Sequence, residues 1–293
     1  MIWARQNRSL RRLRPRNLRC KHNAKAADIQ MNAKIDFDAR TAKMVEAMYL
    51  TPDVVGQRVA ILAALRLMPG EHLVDIGVGP GLLAEDASRM VGEEGRVVGI
   101  DVSDAMITMA RTRCAALPQA EFFIADAAKL ELPDARFDAA VSTQVYEYVE
   151  EIAVALKELY RVIKPGGRAI ILDTDWDSIV WHASDPALMR RVLGCWDAHL
   201  ADPHLPATLS SKLRRAGFQV QRVEIVPMMS VGYQPHSYAA GIMRGILSFV
   251  RNNGADHSLS SDEIQSWYDD QLRLAEKGDF FFSLNRYLFV VNK

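Results

Sequence analysis

VDIGVGPG, residues 74–81, decides the fold. A short apolar run, Leu73–Ile76, carries Asp75 and ends where Gly77, Gly79 and Gly81 fall within five positions. Leu83, Ala87 and Met90 then recur at helical spacing. That succession reads as a buried strand, a tight glycine turn and a helix. Glycines tolerate backbone dihedrals that other residues resist and let the chain approach a ligand closely. The helix start behind the turn offers free N–H groups and a positive dipole end, which suits a carboxylate or phosphate.

The pyrophosphate-binding fingerprint needs G-x-G-x-x-G. Counted from Gly77, its third glycine would fall on Leu82, so the spacing argues against a dinucleotide enzyme. Outward from the loop, short apolar runs recur at Arg96–Ile100, Glu121–Ala125, Asp138–Val141 and Ala169–Leu172, with helical stretches between them. Runs of this length and turn boundaries suit a parallel sheet buried on both faces, joined by right-handed crossovers. Upstream, Thr51-Pro52-Asp53 has the marks of a helix start, with Val55, Val59 and Leu62 along one face. Ile152, Leu156, Leu159 and Ile163 line a later helix, which Lys164-Pro165-Gly166-Gly167 should stop.

Beyond Leu172 the pattern changes. Helices are expected around Leu188–Leu200 and Ala207–Ala216, and strands at Phe218–Val226 and Phe280–Val291. The separator between those strands has helical signals of its own: Tyr238, Ile242, Ile246 and Phe249, then a capping box, Ser260 with Glu263, ahead of Ile264 and Trp267. It reads as a helical lid, residues 231–278, inserted between a core at 31–230 and a final strand at 279–293. Trp181, His182, Tyr233, His236 and Tyr238 fit either a ligand-facing lid surface or the lid's own core.

Two further acids stand at strand tips. Asp101 ends VVGIDVS (97–103), a little over twenty residues past the loop, where a carboxylate can accept two ribose hydroxyls; it can equally cap the helix near Ser103. Asp126 follows FFIA (122–125) and can accept an adenine amino hydrogen while Ala127 offers a backbone N–H, or it can simply form a turn.

In this order and spacing, and with FDAAVST and LYRVIKPGGR following, the chain resembles the class I S-adenosylmethionine-dependent methyltransferases over roughly residues 50–230. The later motifs are similar to those of the small-molecule branch, which includes the ubiquinone/menaquinone C-methyltransferases. The resemblance implies a doubly wound, seven-stranded, mostly parallel α/β sheet with an antiparallel last strand. It also implies an S-adenosylmethionine site at Gly77, Gly79, Asp101, Asp126, Ala127 and near Thr143; Asp75, Gly81 and Val102 complete the expected set.

Methyl transfer from a sulfonium is an in-line displacement, so the protein supplies mainly proximity and alignment, together about 7–11 kcal/mol. A base is needed only for a nucleophile that arrives protonated. The sheet's carboxyl ends place STQVYEY (142–148) and DTDWDS (173–178) beside the methyl group. Tyr146, Asp173 and Asp175 are the candidate catalytic residues, with Glu147 and Trp176 beside them; Asp173 and Asp175 can also merely end a strand and cap a turn. The acceptor is expected to be a small molecule. Ser142-Thr143-Gln144-Val145 replaces the Asn/Asp-Pro-Pro-aromatic turn common among methylases of planar nitrogens, which argues against nucleic-acid bases and glutamine side chains. No metal is expected, since no His/Cys cluster has ligand spacing. A non-catalytic cofactor-binding protein of the same fold and an NAD-dependent oxidoreductase are the alternatives.

Composition agrees with a globular chain: 293 residues, 49% hydrophobic and 25% charged. Three cysteines, Cys20, Cys114 and Cys195, point to a reducing, cytoplasmic setting. The net charge of zero hides nine Lys or Arg and no acid in residues 1–27; the remainder has 27 basic against 36 acidic residues, a net of −9. That acidic body is a poor surface for nucleic acid. The basic leader, residues 1–30, is expected to be a disordered extension rather than a nucleic-acid arm or presequence. No membrane span is expected, and a monomer or homodimer fits.

Overall fold

The computed structural model describes residues 39–293, so the basic leader lies outside the described residues. Seven strands form one sheet in the order β3-β2-β1-β4-β5-β7-β6. They are β1 (His72–Ile76), β2 (Arg96–Asp101), β3 (Ala120–Ile124), β4 (Phe137–Thr143), β5 (Ile163–Trp181), β6 (Gln219–Val231) and β7 (Phe281–Asn292). The first five run parallel, and β7 lies antiparallel between β5 and β6. The strand order turns back at β1, so the carboxyl ends of β1 and β4 border a crevice.

Alternation across the sheet explains the near-continuous apolar runs. Helix α1 (Ala39–Tyr49) precedes α2 (Pro52–Leu65). On one face Leu73, Val97, Val141, Ile170 and Leu172 meet α2, α3 (Leu82–Val91) and α4 (Asp104–Arg113). On the other, Val74, Ile76, Val98, Ala169 and Ile171 meet α5 (Ile152–Val162) and α7 (Leu205–Ala216). A third apolar core joins α6 (Pro186–Asp197), α8 (Tyr238–Asn253) and α9 (Ser261–Lys277) to the far ends of β5 and β7 through Trp181, Phe282 and Leu284. The two helices expected between the last strands are thus α8 and α9. Ile242, Ile246, Phe249, Ile264 and Trp267 are buried there, and Ser260 and Glu263 form the capping box.

Several expectations need correction. The buried face of α2 is Val54, Ile61 and Leu65, and Val59 points outward; Thr51 begins the helix, yet its hydroxyl donates to the Met48 carbonyl instead of capping an N–H. In α3 the inward face is Leu82, Ala84, Ala87 and Val91, with Met90 exposed. Both errors are one-residue phase errors in short helices with apolar residues on several sides. β5 does not end at Leu172. It runs through Asp173 and Asp175, pairing with Tyr287 and Asn285 of β7, and breaks register only before Val180. Lys164-Pro165-Gly166-Gly167 ends α5 but enters the strand, because Gly166 and Gly167 bond Lys293 across the ladder.

Candidate functional site

The glycine turn is built as its composition demands. Gly77, Gly79 and Gly81 have φ of 70°, 53° and 81°, the left-handed region that favours glycine. A Cβ at Gly77 would stand 2.1 Å from Val145 Cγ2, and one at Gly81 would stand 2.9 Å from the Ala110 backbone. At Gly79 a Cβ would meet nothing within 4 Å, so the middle of the turn faces open space. The loop therefore packs tightly at both ends and leaves a cradle between them.

Acids rim that cradle. Asp101 accepts the Gly79 N–H through Oδ2 and the Ser103 N–H through Oδ1, each at 2.9 Å. The helix cap itself falls to Ser103, whose hydroxyl accepts the Met106 N–H. Asp101 thus braces the glycine turn, and burial raises its pKa against the pull of the Ser103, Gly79 and Val102 N–H groups. Asp75 is 3% exposed and its Oδ2 has no partner. Burial, with the nearby Asp101 charge, pushes its carboxyl up to about 7. An unpartnered buried carboxyl costs free energy that a cationic or N–H-bearing ligand would recover. Asp126 accepts the Ala128 N–H at 2.8 Å, the turn role, beside a buried Ala127.

The ends of β4 and β5 hold a second set of unsatisfied atoms. Ser142 Oγ, Thr143 Oγ1, Gln144 Nε2, Tyr146 OH, Glu147 Oε2 and Asp173 Oδ2 are all buried without partners. Native interiors leave few such groups, so this concentration marks a ligand or water site. Gln144 has φ of 58°, strained for a side chain of its size, and is pinned by its N–H to the Leu172 carbonyl and by the Thr174 hydroxyl at 2.6 Å. Asp173 accepts the Val145 N–H at 3.0 Å, which makes it a brace for this turn; burial and Glu147 raise its pKa well above the usual range. Burial pushes Glu147 up to about 7, with Arg286 and the neighbouring Trp176 pulling the other way. Tyr146 is fully buried among Val74, Ile76 and Ala127, and its phenol is raised by burial first and Asp173 second.

Asp175 departs from this group. It is half-buried, 3.5 Å from His204 Nδ1, which also lies 3.3 Å from Asp177. The ligand atoms of these three side chains lie within 4.8 Å of one another, a grouping of one imidazole with two acids at the surface. His199, by contrast, is buried among Trp196, Trp176, Tyr148 and Phe249, and burial lowers its pKa to about 4. Its Nδ1 contacts the Trp196 carbonyl, so the unpartnered Nε2 carries the lone pair.

Sequence reasoning missed Arg286. Phe282, Leu284, Leu288 and Val290 share its face of β7 and are buried, as is Arg286 at 2% exposure. A cation interrupting an alternate-position apolar run was the available signal. Gln57, whose carbonyl oxygen accepts from Arg286 Nη1, was missed with it.

Residues 74–171 match the family model described as a methyltransferase domain. The chain is 34% identical over 237 residues to an uncharacterized 37.1 kDa protein in transposon TN4556 of Streptomyces fradiae, covering 78% of this chain and 65% of that one. It is 35% identical over 115 residues to the demethylmenaquinone methyltransferase of Symbiobacterium thermophilum, covering 38% and 46%. The chain thus spans less than two thirds of these relatives' lengths. In structure it is similar to a phosphoethanolamine N-methyltransferase 2 of Haemonchus contortus in complex with S-adenosyl-L-methionine (TM-score 0.58, 18% identity, 93% of this chain and 61% of that one). It is also similar to the cyclase SpnF (TM-score 0.53, 20% identity, 82% and 80%). At these identities the likeness is one of fold, and a fold does not fix a reaction. Among the described residues no helix is long and apolar enough to cross a membrane. The matched segment runs from β1 into β5, so the likeness to methyltransferase domains covers the strands that carry the glycine turn, Asp75 and Asp101.

Proposed function

We propose that the chain is an S-adenosylmethionine-dependent methyltransferase whose acceptor is a small molecule. The observation that carries this reading is the unpartnered, buried Asp75 carboxyl beside the open cradle of Gly79. The donor set fits the cofactor. Asp75 suits an ammonium group, the glycine turn and the start of α3 suit its carboxylate, and Asp101 with the Val102 N–H suits ribose hydroxyls. Asp126 and Ala127 stand on the β3 side for the adenine, and Thr143 stands at the end of β4. When bound, the sulfonium supplies an activated methyl group.

The chain's own residues then align and shield the acceptor. Gln144, Val145 and Asp173 hold the β4 turn rigid. Trp176, Trp196 and Phe249 wall off water on the acceptor side. Glu147, balanced near neutrality, is placed to take a proton from an acceptor that arrives protonated; Asp173 and Tyr146 act through position, Asp173 by holding the turn and Tyr146 by packing beneath it. Asp175, paired with His204, lies to one side.

Calorimetry with S-adenosylmethionine, S-adenosylhomocysteine and NAD tests the reading. Both sulfur nucleotides should bind, and Asp101→Ala should weaken them about tenfold to a hundredfold, the loss expected for charge-assisted hydrogen bonds. Binding of NAD alone, or an Asp101→Ala variant with unchanged affinity, overturns it. Binding without transfer to any small-molecule acceptor would make the chain a cofactor-binding protein of this fold.

A further inference from the structure

Arg286 is the least expected residue of the interior. Along its face of β7, Phe282 and Leu284 belong to the core under α8, and Leu288 and Val290 to the core under α2–α4. The guanidinium sits at the seam between the two, opposite Thr174 of β5. Its Nη1 donates to Gln57, and its carbon lies 4.6 Å over the Tyr238 ring. The Nε–H has no partner, and among the described residues Arg286 makes no ion pair.

A buried, unpaired guanidinium is costly, and such charges are ordinarily matched by an anion. The Glu147 carboxyl feels the Arg286 charge, but it forms no ion pair with it, and burial pushes that carboxyl up to about 7. A neutral amide and an aromatic face are partial substitutes for a counter-charge. With Nη1 engaged by Gln57, the Nε edge remains, and that edge of a guanidinium matches a planar oxyanion in a two-pronged hydrogen bond. The location is also right: Thr174, opposite Arg286 on β5, donates its hydroxyl to Gln144 Oε1 at 2.6 Å, so the seam adjoins the turn after β4.

We infer that Arg286 is the anion-binding residue of the acceptor pocket and that the acceptor carries a carboxylate. This inference rests on the methyltransferase reading for the word acceptor, though not for the binding itself. The carboxylate seats on the Nε edge, Gln57 and Tyr238 hold the guanidinium in place, and the methylated atom is directed toward the ends of β4 and β1. Specificity then comes from charge, since a neutral isostere leaves the cation unpaired.

The test uses benzoate, phenylacetate and cinnamate, each against its primary amide, in thermal-shift and calorimetric titrations with and without saturating S-adenosylhomocysteine. At least one acid should bind saturably while its amide does not. Arg286→Met should lose about tenfold or more of that affinity, and Arg286→Lys, which keeps the charge without the fork, should fall between. S-adenosylhomocysteine affinity should be unaltered in both variants. The inference is overturned if no acid stabilises the wild-type protein, if acids and amides bind alike, or if Arg286→Met keeps the acid affinity. The wild-type acid–amide comparison stands even where a variant fails to fold. Failure of S-adenosylhomocysteine to bind wild-type protein would overturn the methyltransferase reading instead, with acid binding read on the free protein.

Discussion

Asp75→Asn isolates the electrostatics of the cradle with an isosteric change. In the ligand-free protein the Asp75 carboxyl is pushed from 3.8 up to about 7. Below pH 4 it is protonated in both folded and unfolded chains and contributes nothing. Between pH 4 and 7 the unfolded chain ionises while the folded one keeps its proton, so stability falls by about 1.4 kcal/mol per pH unit. Above pH 7 the accumulated cost levels off at about 4 kcal/mol. Asparagine cannot ionise, so the variant escapes this loss, and the burial of its amide adds a constant independent of pH. The expected result is a gap between variant and wild type that widens in the variant's favour from pH 4 to 7 and stays flat to pH 8. Urea midpoints at four pH values measure it, and the contributions of Glu147 and Asp173 cancel in the difference. Parallel stability profiles for the two proteins would refute the reasoning. The same variant should bind S-adenosylhomocysteine more weakly, since the site then lacks its counter-charge.

Gly77→Ala should cost about 2–4 kcal/mol, combining a left-handed φ with overpacking against Val145. The double variant with Val145→Ala should be more stable than Gly77→Ala alone in urea titrations, and strict additivity would remove Val145 from the argument. For an acceptor that arrives protonated, the methyl-transfer rate should fall as pH drops through about 7, where Glu147 gains its proton. Glu147→Gln should lower that rate about a hundredfold and abolish the acid limb; a limb that persists assigns it elsewhere.

Much of this architecture is legible along the chain because the parallel strands are buried on both faces and read as unbroken apolar runs, as Leu73–Ile76 and Ala169–Leu172 do. The glycine turn is legible for a sharper reason: three left-handed residues within five positions admit few alternatives. The phase of α2 and α3 is not legible, since Val55 and Val59 are as apolar as Val54 and Ile61. Nor is the length of β5, because its second half is held by β7, more than a hundred residues away. The residues proposed for the cofactor lie on local strand tips, where spacing along the chain already picks them out. The proposed acceptor side is not picked out this way, because Gln57, Tyr238 and Arg286 come from three separate elements and meet only in three dimensions.

The placement of the tryptophans follows the same division. Trp176, Trp181, Trp196 and Trp267 all lie in the core shared by α6, α8, α9 and the far end of β5, and strands β1–β4 contain none. Trp3 lies outside the described residues, so in a Trp3→Phe variant intrinsic emission becomes a private signal of this core. A red shift that precedes the loss of far-ultraviolet ellipticity during unfolding would report this core opening while strands β1–β4 remain intact.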